Sequence, residues 1–469
     1  MNVPARLRHA IQPSGVRRHA SWCAAALVVA GLAQVAAAQP APAGTPAAAP
    51  QSTPQSTPVA IPEAPPDPAP EPAKPVVKVD DDGKRTTATG AVILEGEDKT
   101  GTEIGLLPLI GGDTDNGFGV GAIGSIASFD KGYSPYKWQV QFATFIAARD
   151  SITSPSYEDA FVNIIVPQLM DGRLRVELRP SFTRETALHF YGYGNQINIP
   201  TTIDRTRDTY TRLHPQLAGL TRWRLHRDSA WSALLGGQYL YNQISYAASS
   251  TIGQQAPMIN PVGERAHSVL RLETGIVYDT RDNEIAPHRG MYHTLEFRVS
   301  PHLGDAFPYH YEQLDLQFRF YRTVSPRNVL AFRAVGDVLL GYVPFYELSR
   351  YEDTSALGGS LAIRGVPGYA FYGKVKLFGN LELRTHVTNF KLFDRRFKFG
   401  VASFIDGGRL WSDLRFSHPE LDGHGLGLHY GIGGGIRLQQ GRAFLVRADL
   451  AWSPDASPIA GYVLADHIF

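Results

Sequence analysis

The sequence predicts an all-β protein, a sixteen-stranded antiparallel transmembrane β-barrel with an N-terminal disordered tether. Three observations carry this. From residue 102 to the end, runs of about ten residues alternate apolar and polar side chains and are separated by Gly, Asp, Asn and Pro. After residue 38 no apolar run reaches the roughly 18 residues a crossing helix needs. A single cysteine, Cys23, and a net charge of +1 exclude a disulfide scaffold, a Cys-based zinc site and a basic nucleic-acid binder.

The segments follow in order. Residues 1–38 read as a secretory signal peptide: Arg6, Arg8, Arg17 and Arg18 give a basic start, Trp22 to Ala33 an apolar run, and Ala36-Ala37-Ala38 a small-residue cleavage site. A membrane helix is the competing reading, and the apolar run is too short to span. Cleavage there removes Cys23 and four arginines, taking the formal charge from +1 to −3. Residues 39–100 read as a disordered periplasmic tether, with 13 of the 33 prolines between 39 and 75. In polyproline geometry that stretch reaches about 100 Å. Asp80-Asp81-Asp82 and Lys84-Arg85 follow without any pattern of a folded domain.

Residues 101–469 form the barrel. The sixteen runs lie near 102–110, 117–129, 136–148, 157–167, 172–183, 209–226, 230–246, 265–280, 290–302, 308–324, 327–341, 373–388, 397–411, 426–439, 442–453 and 460–469. So many apolar faces exceed what one soluble core can bury, and a closed barrel turns them to lipid. In residues 374–384, Val375, Leu377, Leu381 and Leu383 share one face, and Lys376, Asn380, Glu382 and Arg384 the other. Likewise Phe444, Val446, Leu450 and Trp452 oppose Arg447 and Asp449. Links after even strands are mostly tight, whereas those at 184–208, 247–264 and 342–372 are long, which places the short turns in the periplasm. The final run ends in Phe469, an aromatic residue of the kind that marks barrel strands for insertion.

Two stretches go beyond a generic barrel. Tyr278-Asp279-Thr280-Arg281-Asp282-Asn283 with Pro287-His288-Arg289-Gly290 lies between the eighth and ninth strands. Leu357-Gly358-Gly359-Ser360-Leu361-Ala362-Ile363-Arg364-Gly365 lies in the sixth long loop, followed by Asn380-Leu381-Glu382-Leu383-Arg384 and Phe404-Ile405-Asp406-Gly407-Gly408. With the terminal aromatic strand, these resemble the BamA/TamA superfamily of outer-membrane proteins, the bacterial surface antigen family. The resemblance implies that the sixth loop folds into the lumen and that Arg364, beside Gly365, pairs with Asp406 and Glu382 near Phe404. The Asp279, Arg281, Asp282, Arg289 and Gly290 turn is expected to form a salt-bridged periplasmic rim, with solvated turn charges as the plainer reading. Relatives that insert or secrete proteins carry periplasmic POTRA domains of about 75 residues. The 63 residues from Gln39 to Gly101 are too few and too Pro-rich for one.

The expected function is assistance of protein or lipid insertion or translocation at the outer membrane of a Gram-negative bacterium. The expected partners are outer-membrane lipid and a periplasmic partner or client protein, with no nucleic acid, cofactor, metal or catalytic residue. By the same resemblance the expected mechanism uses a weak seam between the first strand, which contains Pro108, and the last. A passive channel partly occluded by the inward loop is the alternative. A receptor acting through the 184–208 loop, with Tyr191, Tyr193, Arg205 and Arg207, is a third reading. The only nucleotide-binding signal, Gly119-Val120-Gly121-Ala122-Ile123-Gly124, lies inside a strand and opens no helix. No GxSxG elbow or metal-ligand spacing of histidines occurs.

Overall fold

The computed structural model describes residues 100–469 apart from short loop stretches at 114–116, 134, 150–154, 201–202, 227–228, 353, 393–394 and 417, together with three two-residue strands upstream. The expected signal peptide with Cys23, and the Pro/Ala-rich stretch of the tether, lie outside the described residues. The upstream strands, Lys78–Val79, Arg85–Thr86 and Val92–Ile93, pair antiparallel in a small sheet of their own.

The barrel wall has sixteen antiparallel strands: β1 Gly101–Asp113, β2 Gly117–Phe129, β3 Trp138–Ala148, β4 Tyr157–Leu169, β5 Leu174–His189, β6 in two pieces at Thr209–Leu213 and Gln216–Arg224, β7 Trp231–Ser245, β8 His267–Asp279, β9 Gly290–Ser300, β10 His310–Ser325, β11 Asn328–Tyr342, β12 Val375–Leu392, β13 Arg395–Trp411, β14 His429–Gln440, β15 Phe444–Ser453 and β16 Ala456–Ala465. Their order follows the chain and closes with β16 beside β1. β6 is interrupted at His214-Pro215, where a proline has no amide for the ladder, yet both pieces pair with β5 and β7. The side chain of His214 turns to Glu185 on β5 at 3.0 Å.

Alternation sets the two faces. On β12, Lys376, Asn380 and Glu382 are at most 1% exposed, whereas Leu377, Leu381 and Leu383 are 37–39% exposed on the outside. The outward leucines meet lipid, and the inward polar groups find partners in the lumen. No helix among the described residues is long and apolar enough to cross a membrane.

Two expectations at the ends are corrected. The last strand does not run to Phe469. It stops at Ala465, and Asp466, at φ 61°, turns the chain into the lumen. Continued as a strand, 466–469 would alternate Asp466 and His467 across a wall whose outer side is lipid. Inside, Asp466 accepts from Gln141 at 3.1 Å, Ile468 O from Arg333 at 3.3 Å, and Phe469 O from Arg384 at 2.9 Å. The second correction concerns Phe444 and Val446. They have outward parity on β15, yet are only 7% and 9% exposed. Together with Ala465 they pack on Leu107, Leu109, Ile123 and Ala143, residues on the inward faces of β1, β2 and β3. The base of β15 and the end of β16 are therefore tucked behind the first strands, and the wall overlaps itself.

The long external loops pack inward as well. Phe190, Tyr193, Ile252, Phe345, Tyr346 and Tyr372 form one buried cluster that caps the outer end. Of the residues in the receptor reading, Tyr193 is buried with its hydroxyl donating to Ser412 O at 2.6 Å, while Arg207, exposed, forks onto Asp208 at 2.7 and 2.9 Å; β5 extends to His189.

An outward arginine tests the assignment of faces. Leu381→Arg should lower unfolding free energy in lipid vesicles by about 2–4 kcal/mol if that position sits near the bilayer midplane, as read by denaturant titration of the refolded barrel.

Candidate functional site: an arginine clasp in the lumen

The loop at 343–374 enters the lumen and is held at two levels. At the outer level Lys376 donates to Asp337 at 2.7 Å and to the carbonyls of Glu347 and Arg350, while Arg350 pairs with Glu185 at 2.8 Å. Glu347 lies against Arg271 and Arg212. Burial alone would raise its carboxyl pKa, but these guanidiniums hold it below the ordinary carboxylate value.

At the inner level the structure brings together Arg364, Glu382, Phe404 and Asp406. The Arg364 fork reaches Asp406 through Nε at 2.8 Å and Nη2 at 3.0 Å, and Nη1 reaches Glu382 at 2.6 Å. The Arg364 amide adds a bond to Asp406 at 3.1 Å, and its guanidinium lies 3.3 Å from the Phe404 ring centre. Arg364 and Glu382 are fully buried and Asp406 is 1% exposed, so the pairing takes place away from bulk water. A planar fork matched to a carboxylate is a strong charge-assisted arrangement, and here it also fixes the loop backbone.

The sequence reading missed a third carboxylate. Asp449 on β15 accepts from Arg364 Nη1 at 3.0 Å, from Arg437 at 2.5 Å and from Arg447 at 2.6 Å. Arg437 also reaches Glu382 at 3.3 Å, and Arg384 reaches it at 2.8 Å. Alternation had already turned Arg384, Arg437, Arg447 and Asp449 inward, but it carries no information on height in the barrel. The register supplies that: Asn380 faces Asp406 across β12 and β13, and Gly435 faces Asp449 across β14 and β15. The cluster thus holds four guanidiniums among three carboxylates.

Glycines make the seat. A Cβ on Gly431 would collide with the Arg364 carbonyl oxygen, and one on Gly433 would come 2.6 Å from the Phe404 ring. Gly365 has φ 96°, where any Cβ is strained, and its amide donates to the Tyr462 hydroxyl of β16 at 3.0 Å. The Arg-Gly pair therefore ties the loop to β12, β13, β15 and β16 at once.

The turn between β8 and β9 is internally hydrogen-bonded, with Asp282, His288 and Arg289 exposed. Asp279 takes the Arg281 fork at 3.0 and 2.9 Å, and Asp282 accepts the His288 and Arg289 amides at 2.9 and 3.1 Å. Burial would raise the Asp282 carboxyl pKa, but His288 and these amides bring it below its ordinary value. Gly290, at φ 103°, lets the strand begin directly under the Thr280 carbonyl. The Arg289 side chain is exposed.

The Omp85 superfamily domain model matches residues 173–458. The chain belongs to the Omp85 superfamily. Two solved structures are similar to this Omp85 chain. BamA from Haemophilus ducreyi lacking POTRA domains 1–3 is 12% identical, with 78% of this chain and 70% of that one covered and a TM-score of 0.49. CdiB from Escherichia coli is 14% identical, with coverages of 84% and 67% and a TM-score of 0.49. No curated protein matches the sequence. As an Omp85 member, the chain is a barrel of the Gram-negative outer membrane.

Two substitutions test the clasp. Arg364→Ala leaves Glu382 and Asp406 without their shared cation and should destabilise the barrel by about 3–5 kcal/mol, read as a fall in denaturant midpoint and faster proteolysis of the 343–374 loop. Gly431→Ala removes no charge, yet the added methyl should unseat the same loop at about 1–3 kcal/mol; loop cleavage as slow as in the wild type would contradict the seat.

Proposed function

We propose that this Omp85 barrel assists the insertion or translocation of protein or lipid at the outer membrane by opening between its first and last strands. The observation that carries the reading is how the wall closes. The Ile104 carbonyl of β1 accepts from the side chains of Arg395 at 2.5 Å and Gln440 at 3.1 Å. Glu103 pairs with Arg442 at 2.9 Å, and the Gly105 position abuts Phe444. Pro108 on β1 has no amide to give a ladder. At this level the edge is covered by side chains, which separate more readily than a continuous backbone ladder, and parting them frees an edge strand for a client.

The inward loop is common to this reading and to the passive-channel alternative, and the two differ in whether the seam opens. Arg447 donates to Ser360 O at 2.7 Å and Asn380 to Ala362 O at 2.6 Å, so the loop lies across the interior. The expected client is a protein or lipid entering from the periplasm or the membrane, and a periplasmic partner supplies the capture surface.

A cross-seam disulfide discriminates. Gly105→Cys with Phe444→Cys, in a Cys23→Ser background, should abolish insertion or translocation when oxidised and restore it on reduction. Full activity of the oxidised protein would refute the opening, and so would an unchanged cellular phenotype when the locked form is the only copy.

A further inference from the structure

The β8–β9 turn does more than order itself, because its tip reaches across the periplasmic mouth. In a ring of sixteen strands, this turn stands half a circumference from the junction of β16 and β1. Its tip nevertheless contacts the opposite side. Glu284 takes both ends of the Arg175 fork, at 2.9 and 2.6 Å, at the start of β5. Ile285 packs against a buried cluster made by Ala127, Phe129, Tyr136 and Ile165 together with Ala443, which lies at the tucked base of β15. The same base is gripped from the wall by Gln139, which donates to Ala443 O at 3.1 Å, and by Arg442 stacked 3.5 Å from the Phe129 ring centre.

The strap is preformed for this reach. Asn283 accepts the amides of Ile285 and Ala286, both at 2.9 Å, which fixes the tip, and Asp282 fixes the return. Between the strap and the inturned chain end lies a cavity of about 290 Å³, lined by Arg175, Glu284, Ile285, Asp466, His467 and Phe469 among others. The strap and the inturned chain end thus line one half-open space.

We propose that residues 280–289 are a latch on the seam: Glu284 and Ile285 hold the tucked base of β15, and with it the end of β16, behind β2–β4 until the strap is drawn off the mouth. The latch rests on the seam reading only for what its release accomplishes; as a mechanical restraint it stands or falls separately. It also identifies the surface on which a periplasmic partner would act, since the exposed Arg289 and His288 lie on the strap's outer side.

The test uses the full chain in lipid vesicles, with hydrogen exchange followed in peptides covering 440–446 and 460–469. Glu284→Gln removes the charge of the ion pair at constant shape, and Ile285→Ser removes the apolar wedge. Each should speed exchange in both peptides by about tenfold while heat-modifiable migration shows the barrel still folded. Arg289→Ala, on the exposed side of the same turn, should leave exchange unchanged. Ile285→Cys with Ala443→Cys should slow exchange at 460–469 when oxidised. If Glu284→Gln and Ile285→Ser both fold and both exchange at the wild-type rate, the turn is an ordinary connection and the latch is overturned. If exchange accelerates as stated but the Gly105→Cys, Phe444→Cys lock leaves insertion intact, the latch stands and the seam function falls.

Discussion

The structure depends on one guanidinium. Arg364 sits in a lumen where a lone cation would be prohibitively desolvated, and its burial is tolerable because Asp406, Glu382 and Asp449 meet it with near-complete hydrogen-bond geometry. Each carboxylate comes from a different strand. The loop cannot leave without stranding charges on three parts of the wall, and the wall cannot shift without breaking the loop's anchor. Such a cluster contributes specificity of arrangement as much as stability: only one height and rotation of the loop satisfies every member. Because the members are buried, added salt would screen them far less than it screens surface pairs.

The glycines of β14 are the steric counterpart of that charge pattern. Gly431 and Gly433 leave the inner face of β14 bare where the loop backbone and Phe404 press against it. Bare strand is weak strand, since it lacks side chains to pack and loses more entropy on folding. The barrel accepts that weakness beside its own closure, where β15 and β16 already curl inward. Charge satisfaction and backbone thinning thus meet in the same quarter of the wall.

Much of this was legible in one dimension. Alternation identified the barrel, and it turned Glu382, Asp406, Arg437, Arg447 and Asp449 inward because a period of two fixes the face whatever the surroundings. The pairing of Arg364 with Asp406 and Glu382 followed from motif resemblance, not from spacing. Asp449 stayed hidden because height depends on strand stagger, which sums small register choices over four strands. The inward turn at Asp466 was missed for a different reason: Val463 and Ala465 keep the strand pattern, and only the luminal partners of the last three residues make leaving it favourable. The reach of Glu284 was equally invisible, since nothing in a ten-residue turn signals contact with a strand that it does not connect.

The packed interior bears on the cell as a whole. An outer membrane is a sieve, and every open pore in it admits toxins along with nutrients. With the sixth loop seated and the external loops packed inward, each copy of this barrel offers small solutes a narrower route than an open barrel of the same strand number would.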